Sequence, residues 1–249
     1  MIKIVPKISI ITVVFNAKED LKKTMQSVFA QTYDNIEYII IDGGSTDGTV
    51  DVIKSYKDKI SYFISEKDEG IYDAMNKGIE QAKGEWLNFL NAGDVFVDSQ
   101  VLGNIFKNSI DIDNINLLYG SIVVRDTSGK DIAIVKPKKF IKLNIVFWGT
   151  GTLCHQAMFV SSDIIEKYSL KYKLKGELNW YFDLLPKVKK FKIVDFPVVV
   201  YSLGGTGEQN YRLNHLETID VMFKRNGIFG ILSMPFIVYS LLKHIIKRG

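Results

Sequence analysis

Four short apolar runs separated by amphipathic stretches limit this chain more than any other feature. Residues 8–15 read Ile-Ser-Ile-Ile-Thr-Val-Val-Phe, and 36–41, 60–64 and 86–90 are similarly apolar. Runs this short and this continuous are those of strands buried on both faces. Between the first two, residues 20–31 place Leu21, Met25, Val28 and Phe29 on one helical stripe, and 50–56 and 71–83 also read as helices. Strand and helix in alternation, joined by right-handed crossovers, give a parallel sheet with covered faces. The predicted fold class is therefore α/β, and 249 residues suit one large domain or one with an appendage.

After Asp94 the rhythm changes. Residues 117–124 and 131–135 read as strands about a turn at Thr127-Ser128-Gly129, an antiparallel hairpin. A strand is expected at 157–160, a short helix at 163–168, and a helix at 178–185 that stops at Pro186. A strand at 191–201, a flexible loop at 202–207 and a helix at 211–225 complete the second half.

Residues 227–242 carry no charge, and Lys224, Arg225, Lys243, His244, Lys247 and Arg248 bracket them. The run is shorter than the roughly 20 apolar residues that span a bilayer, and it contains Pro235. It is expected to lie in the interface of an anionic membrane. Packing on the domain or on a second subunit, in a homo-oligomer, is the alternative. The net charge of +4 does not call for nucleic acid. Cys154 stands alone, which excludes an internal disulfide and a cysteine-based zinc site and suits a reducing compartment. The chain enters strand-like sequence almost at once, without a signal peptide, so a cytoplasmic location is expected.

Asp42, Asp68 and Asp94 fall at or just after three strand ends, the edge where open α/β sheets bind ligands. Trp86 to Leu90 is a buried strand, and Ala92-Gly93 turns the chain so that Asp94 sits at its carboxyl end. Converging carboxylates repel unless a cation or a donor-rich ligand compensates. Mg²⁺ or Mn²⁺, held by one or two carboxylates plus substrate phosphates, answers that need. Asp42 and Asp47 can also accept hydrogen bonds from a base or ribose, and Asp47 can equally cap a helix. The loop Gly43-Gly44-Ser45-Thr46-Asp47-Gly48 lacks both the Gly-Lys-Ser/Thr ending of a P-loop and the GxGxxG fingerprint. Asp73, Asn76 and Lys77 share one helix face at i, i+3 and i+4, behind Gly70.

Four motifs in order, Ser-Ile-Ile-Thr-Val-Val-Phe-Asn at 9–16, Ile-Asp-Gly-Gly-Ser-Thr-Asp-Gly-Thr at 41–49, Asp-Glu-Gly-Ile-Tyr-Asp-Ala-Met-Asn-Lys-Gly at 68–78 and Phe-Leu-Asn-Ala-Gly-Asp at 89–94, resemble the family 2 glycosyltransferases. The similarity is to the bacterial branch that builds exopolysaccharide, capsule or O-antigen, and it covers about the first hundred residues. It implies a GT-A fold, a nucleotide-diphosphate sugar donor, expected to be a UDP-sugar, and inversion at the anomeric carbon. The acceptor implied is a saccharide or a lipid-linked one such as a polyprenyl diphosphate saccharide. Residues 1–226 would form the catalytic domain, with a nucleotide-sugar half at 1–98 and an acceptor half at 99–226. Residues 227–249 would form a membrane-associating tail.

Carried over by residue, Asp42 would bind the donor's base or ribose and Asp73 would lie against the nucleotide, with Asn76 and Lys77 as helpers. Thr12, Phe15, Asn16, Ser45, Asp47, Asp68, Asn91, Ala92 and Gly93 would also line the donor side. Asp94 matches the last acid of the family's DxD motif and would bind the metal. Asn91-Ala92-Gly93-Asp94 offers one acid, so the metal would have fewer protein ligands. The family places its base, usually Asp, in the second half, before a helix of aromatic and aliphatic residues; Glu177 matches it best, with Asp183 in reserve. An inverting transfer needs that base to take the acceptor hydroxyl's proton. His155, Gln156 and Trp180 are expected on the acceptor side. Gly204-Gly205-Thr206-Gly207 matches a loop that closes over the donor, with Tyr211 after it and Arg212 near the diphosphate.

Two other readings compete. A sugar nucleotidyltransferase shares this kind of sheet but wants a Gly-rich, basic loop where Phe15-Asn16-Ala17 stands. An inactive homologue that binds nucleotide or scaffolds membrane partners is the non-enzymatic alternative.

Overall fold

The computed structural model describes residues 5–108, 114–137, 153–204 and 210–227. The first half alternates as expected: β1 (Ile8–Val14), α1 (Lys18–Phe29), β2 (Ile36–Asp42), α2 (Thr49–Ser55), β3 (Tyr62–Ser65), α3 (Ile71–Gln81) and β4 (Trp86–Phe89). Two short elements that the apolar pattern did not announce follow, β5 (Val95–Phe96) and α4 (Val101–Gly103). The second half adds β6 (Leu117–Arg125), β7 (Asp131–Val135), β8 (Met158–Ser161), α5 (Gly176–Leu184), β9 (Phe191–Ser202) and α6 (Tyr211–Asn226).

One sheet runs through both halves in the order β3-β2-β1-β4-β8-β6-β9-β5, with β7 paired to β6. The first four strands are parallel. Beyond β4 the sheet is mixed: β8 is antiparallel to β4 and to β6, and β9 is parallel to β6. The register sets Asp42 beside Val14, and the Ala92 amide extends the β4 side by donating to the Val13 carbonyl at 3.3 Å. Three chain segments thus reach the same carboxyl edge.

The continuous apolar runs have a simple cause. Ile11, Val13, Ile39 and Ile41 face a core shared with Met75 of α3, Trp180 of α5 and Met222 of α6. Ile10, Val14 and Ile40 face the opposite core, with Leu21 and Met25 of α1 and Ile53 of α2. Period-two alternation with both faces covered favours apolar residues on both faces, and the buried polar exceptions, such as Ser9 and Thr12, are hydrogen-bonded. Truncating any one of them to Ala costs about 2–5 kcal/mol.

The expected hairpin is present: Val123 faces Ile134, and Asp126 accepts from the Ser128 and Lys130 amides across the turn. The short helix expected at 163–168 is absent; the chain makes a turn and continues irregularly. Side chains from elsewhere satisfy its backbone instead. Asn76 Nδ2 donates to the Tyr168 carbonyl at 2.9 Å, its Oδ1 accepts from the Tyr168 amide at 2.7 Å, and Trp180 Nε1 donates to the Glu166 carbonyl at 2.7 Å. Helix propensity over six residues is easily overridden by such anchors. The tail expected at 227–249 lies outside the described residues from position 228 on. Among the described residues, no helix is long and apolar enough to cross a membrane.

Candidate active site

At the end of β1, Phe15 is 63% exposed and Asn16 takes a left-handed conformation, φ 47°. The Asn16 amide donates to Ser45 Oγ at 2.7 Å and its Oδ1 accepts from the Thr46 amide at 2.8 Å, which sews the β1 and β2 loops together. Between them Asp42 is fully buried. Its Oδ2 accepts from the amides of Gly44 (3.1 Å) and Ser45 (2.9 Å) and from Ser65 Oγ (2.6 Å). Its Oδ1 is buried with no partner among the described residues. A buried carboxylate oxygen left without a donor is costly, which makes it a natural acceptor for a ligand N–H or O–H.

The neighbouring acids divide by role. Asp47 accepts from the Thr49 amide (3.0 Å), Thr49 Oγ1 (2.5 Å) and the Lys18 amide (3.1 Å), so it ties the start of α2 to the start of α1. Asp68 accepts from the Gly70 amide at 3.0 Å, and burial, with Asp73 and Asp42 nearby, pushes its carboxyl up. Asp73 accepts from the Glu69 amide at 3.1 Å, and Lys77 bridges it to Glu66. Asn76 departs from its expected role: both ends of its amide hold Tyr168 rather than face the donor loops.

The Asn91–Asp94 turn is built by α1. Thr24 Oγ1 accepts from the Gly93 amide (3.0 Å) and donates to the Asp94 carbonyl (2.8 Å). Gly93 has φ 101°, a conformation that favours glycine. The Asp94 carboxylate points inward: Oδ1 accepts from the Ser202 amide at 3.0 Å and Oδ2 from Gln156 Nε2 at 3.1 Å. Burial pushes its pKa up to about 7, against those hydrogen bonds and the nearby His155. Asn91 Nδ2 lies 3.4 Å from His155 Nε2, and Asn91 Oδ1 is buried without a partner among the described residues. A carboxylate and an orphaned amide oxygen in one turn are hard donors of the kind Mg²⁺ and Mn²⁺ take, so the residues fit a cation that draws its other ligands from phosphate and water. No group of three or more His, Cys, Asp or Glu able to hold a metal exists among the described residues.

Glu177 lies in the first turn of α5 with 30% of its side chain exposed. Its Oε2 is 3.2 Å from His155 Nδ1, and its Oε1 accepts from the Tyr181 hydroxyl, one helical turn on. Burial alone would raise its pKa, but His155, Tyr181 and Lys175 outweigh it and bring it down to about 2. His155 packs edge-on to Phe89 at 6.0 Å. It therefore stands between the β4 turn that carries Asp94 and the helix that carries Glu177.

Three expected site residues are buried among protein partners. Thr12 is fully buried, and its hydroxyl donates to the Leu90 carbonyl at 2.8 Å beside Tyr38. Trp180, expected on the acceptor side, is fully buried and stacks on Tyr168 at 4.9 Å. Gln156, also expected there, supports Asp94 and accepts from Cys154 Sγ at 2.7 Å. Asp183 is held by Arg225 and Asn179. Arg212 is exposed in the first turn of α6. Of the expected donor loop, Gly204 is described and 205–207 lie outside the described residues. Sequence reasoning missed Thr24, Ser202 and Tyr181; only the last had a local signal, its i+4 spacing from Glu177.

A glycosyl transferase family 2 profile matches residues 9–169. A "PGL/p-HBAD biosynthesis glycosyltransferase" of Mycobacterium bovis (strain BCG / Pasteur 1173P2) is 30% identical over 186 residues, covering 72% of this chain and 69% of the relative. The crystal structure of S. aureus TarS 1-349 in complex with UDP-GlcNAc superposes with TM-score 0.67 at 14% identity, covering 93% of this chain and 71% of that one. The mannosyltransferase PcManGT of Pyrobaculum calidifontis, in complex with GDP-Man and Mn²⁺, gives TM-score 0.60 at 12% identity over 97% of this chain and 75% of that one. At those identities the two structures establish a shared fold.

Proposed function

The chain belongs to glycosyl transferase family 2, and from that premise we propose an inverting glycosyltransferase that moves a sugar from a UDP-sugar to a saccharide or lipid-linked saccharide acceptor. The observation that carries this reading is the Glu177 carboxylate: partly exposed, 3.2 Å from His155, and through that ring next to the turn that presents Asp94. Donor capture and acceptor activation need such neighbours.

In this reading the donor lies along the β1–β2 edge, where Asp42 Oδ1, without a partner among the described residues, accepts a hydrogen bond from its base or ribose. Asp94 and Asn91 would hold a divalent cation there. When bound there, Mg²⁺ or Mn²⁺ supplies positive charge that the departing diphosphate requires. Glu177 takes the proton of the acceptor hydroxyl as its oxygen bonds the anomeric carbon from the face opposite the diphosphate. The bond from that carbon to the diphosphate oxygen breaks, and its electron pair leaves with the diphosphate. UDP is the first choice because a fold neighbour binds UDP-GlcNAc, while another binds GDP-Man.

Glu177→Gln tests the base: transfer is expected to be lost with nucleotide affinity kept, and retained turnover refutes the assignment. A thermal-shift panel of UDP, GDP, dTDP and their sugars, with and without Mn²⁺, tests the donor. UDP with metal is expected to stand out, and no shift by any nucleotide overturns the donor site. The apolar, basic-flanked segment 227–249 is proposed to hold the enzyme on the inner face of the cell membrane.

A further inference from the structure

Glu177 sits at the start of a helix that has no side-chain cap of its own. The chain that leads into it, Lys173-Leu174-Lys175, is held from a distance by one carboxylate. Glu217 of α6 accepts from the Lys173 amide through Oε1 at 2.9 Å, and from the Leu174 and Lys175 amides through Oε2 at 2.8 and 2.9 Å. Three successive N–H groups on one charged acceptor form a strong and directional clamp. Val221 and Arg225 share the face of Glu217 at i+4 and i+8. Val221 is fully buried, and Arg225 donates to Asn179 Oδ1 at 2.9 Å and to Asp183 Oδ2 at 2.8 Å. One stripe of α6 therefore grips α5 before its start and again along its length. On the other side, a Cβ on Gly176 would meet the Tyr72 ring of α3 at 2.6 Å. The start of α5 is wedged between the donor-side helix and Glu217.

We propose that Glu217 is a positioning residue for the transfer: by holding the amides of 173–175 it fixes where α5 begins and so where the Glu177 carboxylate meets the acceptor. This rests on the reading of Glu177 as the base.

The test uses the full chain and the nucleotide sugar that gives the largest thermal shift, with release of nucleotide as the readout and the binding stoichiometry of nucleotide as the measure of folded protein. Glu217→Gln is expected to lower kcat about 10- to 100-fold, with donor KM and stoichiometry unchanged, as for a displacement of about 1 Å at a reacting group. Leu216→Ser, on the exposed side of α6, is expected to behave as wild type. A kcat within twofold of wild type, or a loss matched by the fall in stoichiometry, overturns the proposal. Should Glu217→Gln not fold, Glu217→Asp keeps the charge with a shorter reach; full stoichiometry with a lowered kcat is expected, and a wild-type kcat overturns the proposal. Normal turnover by Glu177→Gln removes the base assignment itself. An inactive Glu177→Gln beside a normal Glu217→Gln removes only the positioning role.

Discussion

His155 Nδ1 lies 3.2 Å from Glu177 Oε2, while Nε2 on the other side of the ring lies 3.4 Å from Asn91 Nδ2. One imidazole thus touches the proposed base and the turn of the proposed cation site. The His155 contact is among the influences that hold the Glu177 carboxyl below its ordinary range.

His155→Gln removes that contact and leaves burial as the main influence on Glu177. The acidic limb of kcat/KM is expected to move up by about 1–2 pH units, the order by which a close stabilising partner lowers a carboxyl. In wild type the depressed Glu177 stabilises the fold above the unfolded pKa of about 4.3, and that contribution is lost as pH falls through about 2. The variant should accordingly lose less on acidification. A pH–rate profile read beside acid unfolding decides it, and an unmoved limb refutes the pairing.

Asp94 has the opposite sign. Its folded pKa of about 7 exceeds the unfolded value, so the native state binds a proton more tightly and stability falls as pH rises from about 4 to 7. A cation on Asp94 competes with that proton, so Mn²⁺ affinity should weaken about tenfold per pH unit below 7 and level off above it. Calorimetry across pH 5–8 measures this. Affinity that does not change with pH would take Asp94 out of the cation site.

Much of this was legible beforehand. The apolar runs of β1, β2 and β4 specify buried parallel strands, and Asp42, Asp68 and Asp94 stand at or after the ends of β2, β3 and β4. The surroundings of Thr12 and Trp180 were not legible, because a motif match says nothing of which way a side chain faces: Thr12 bonds Leu90 across two strands, and Trp180 packs under Tyr168. The partners of Asp94 were invisible for a different reason. Ser202 lies 108 residues away and Gln156 lies 62 residues away, and no local pattern encodes such pairings.

Asn76 illustrates the distinction between a donor residue and a staple. Asn76→Ala would leave the amide and carbonyl of Tyr168 without their partners, at a cost of about 1–3 kcal/mol per buried group. Urea unfolding is expected to show that loss while nucleotide affinity stays within twofold. Intact stability with weakened nucleotide binding would return Asn76 to the donor site.

Trp180 gives the matching test for the acceptor side. The indole is fully buried, stacks on Tyr168, and donates to the Glu166 carbonyl. Trp180→Ala should cost about 3–5 kcal/mol, the range for deleting a large buried aromatic. Trp180→Phe keeps most of the packing and loses the N–H, so it should cost less and leave acceptor KM unchanged. The two variants separate packing from recognition because only a residue that touches acceptor would raise KM in the conservative one. A raised acceptor KM in Trp180→Phe, with stability near wild type, would place the indole in the acceptor site after all.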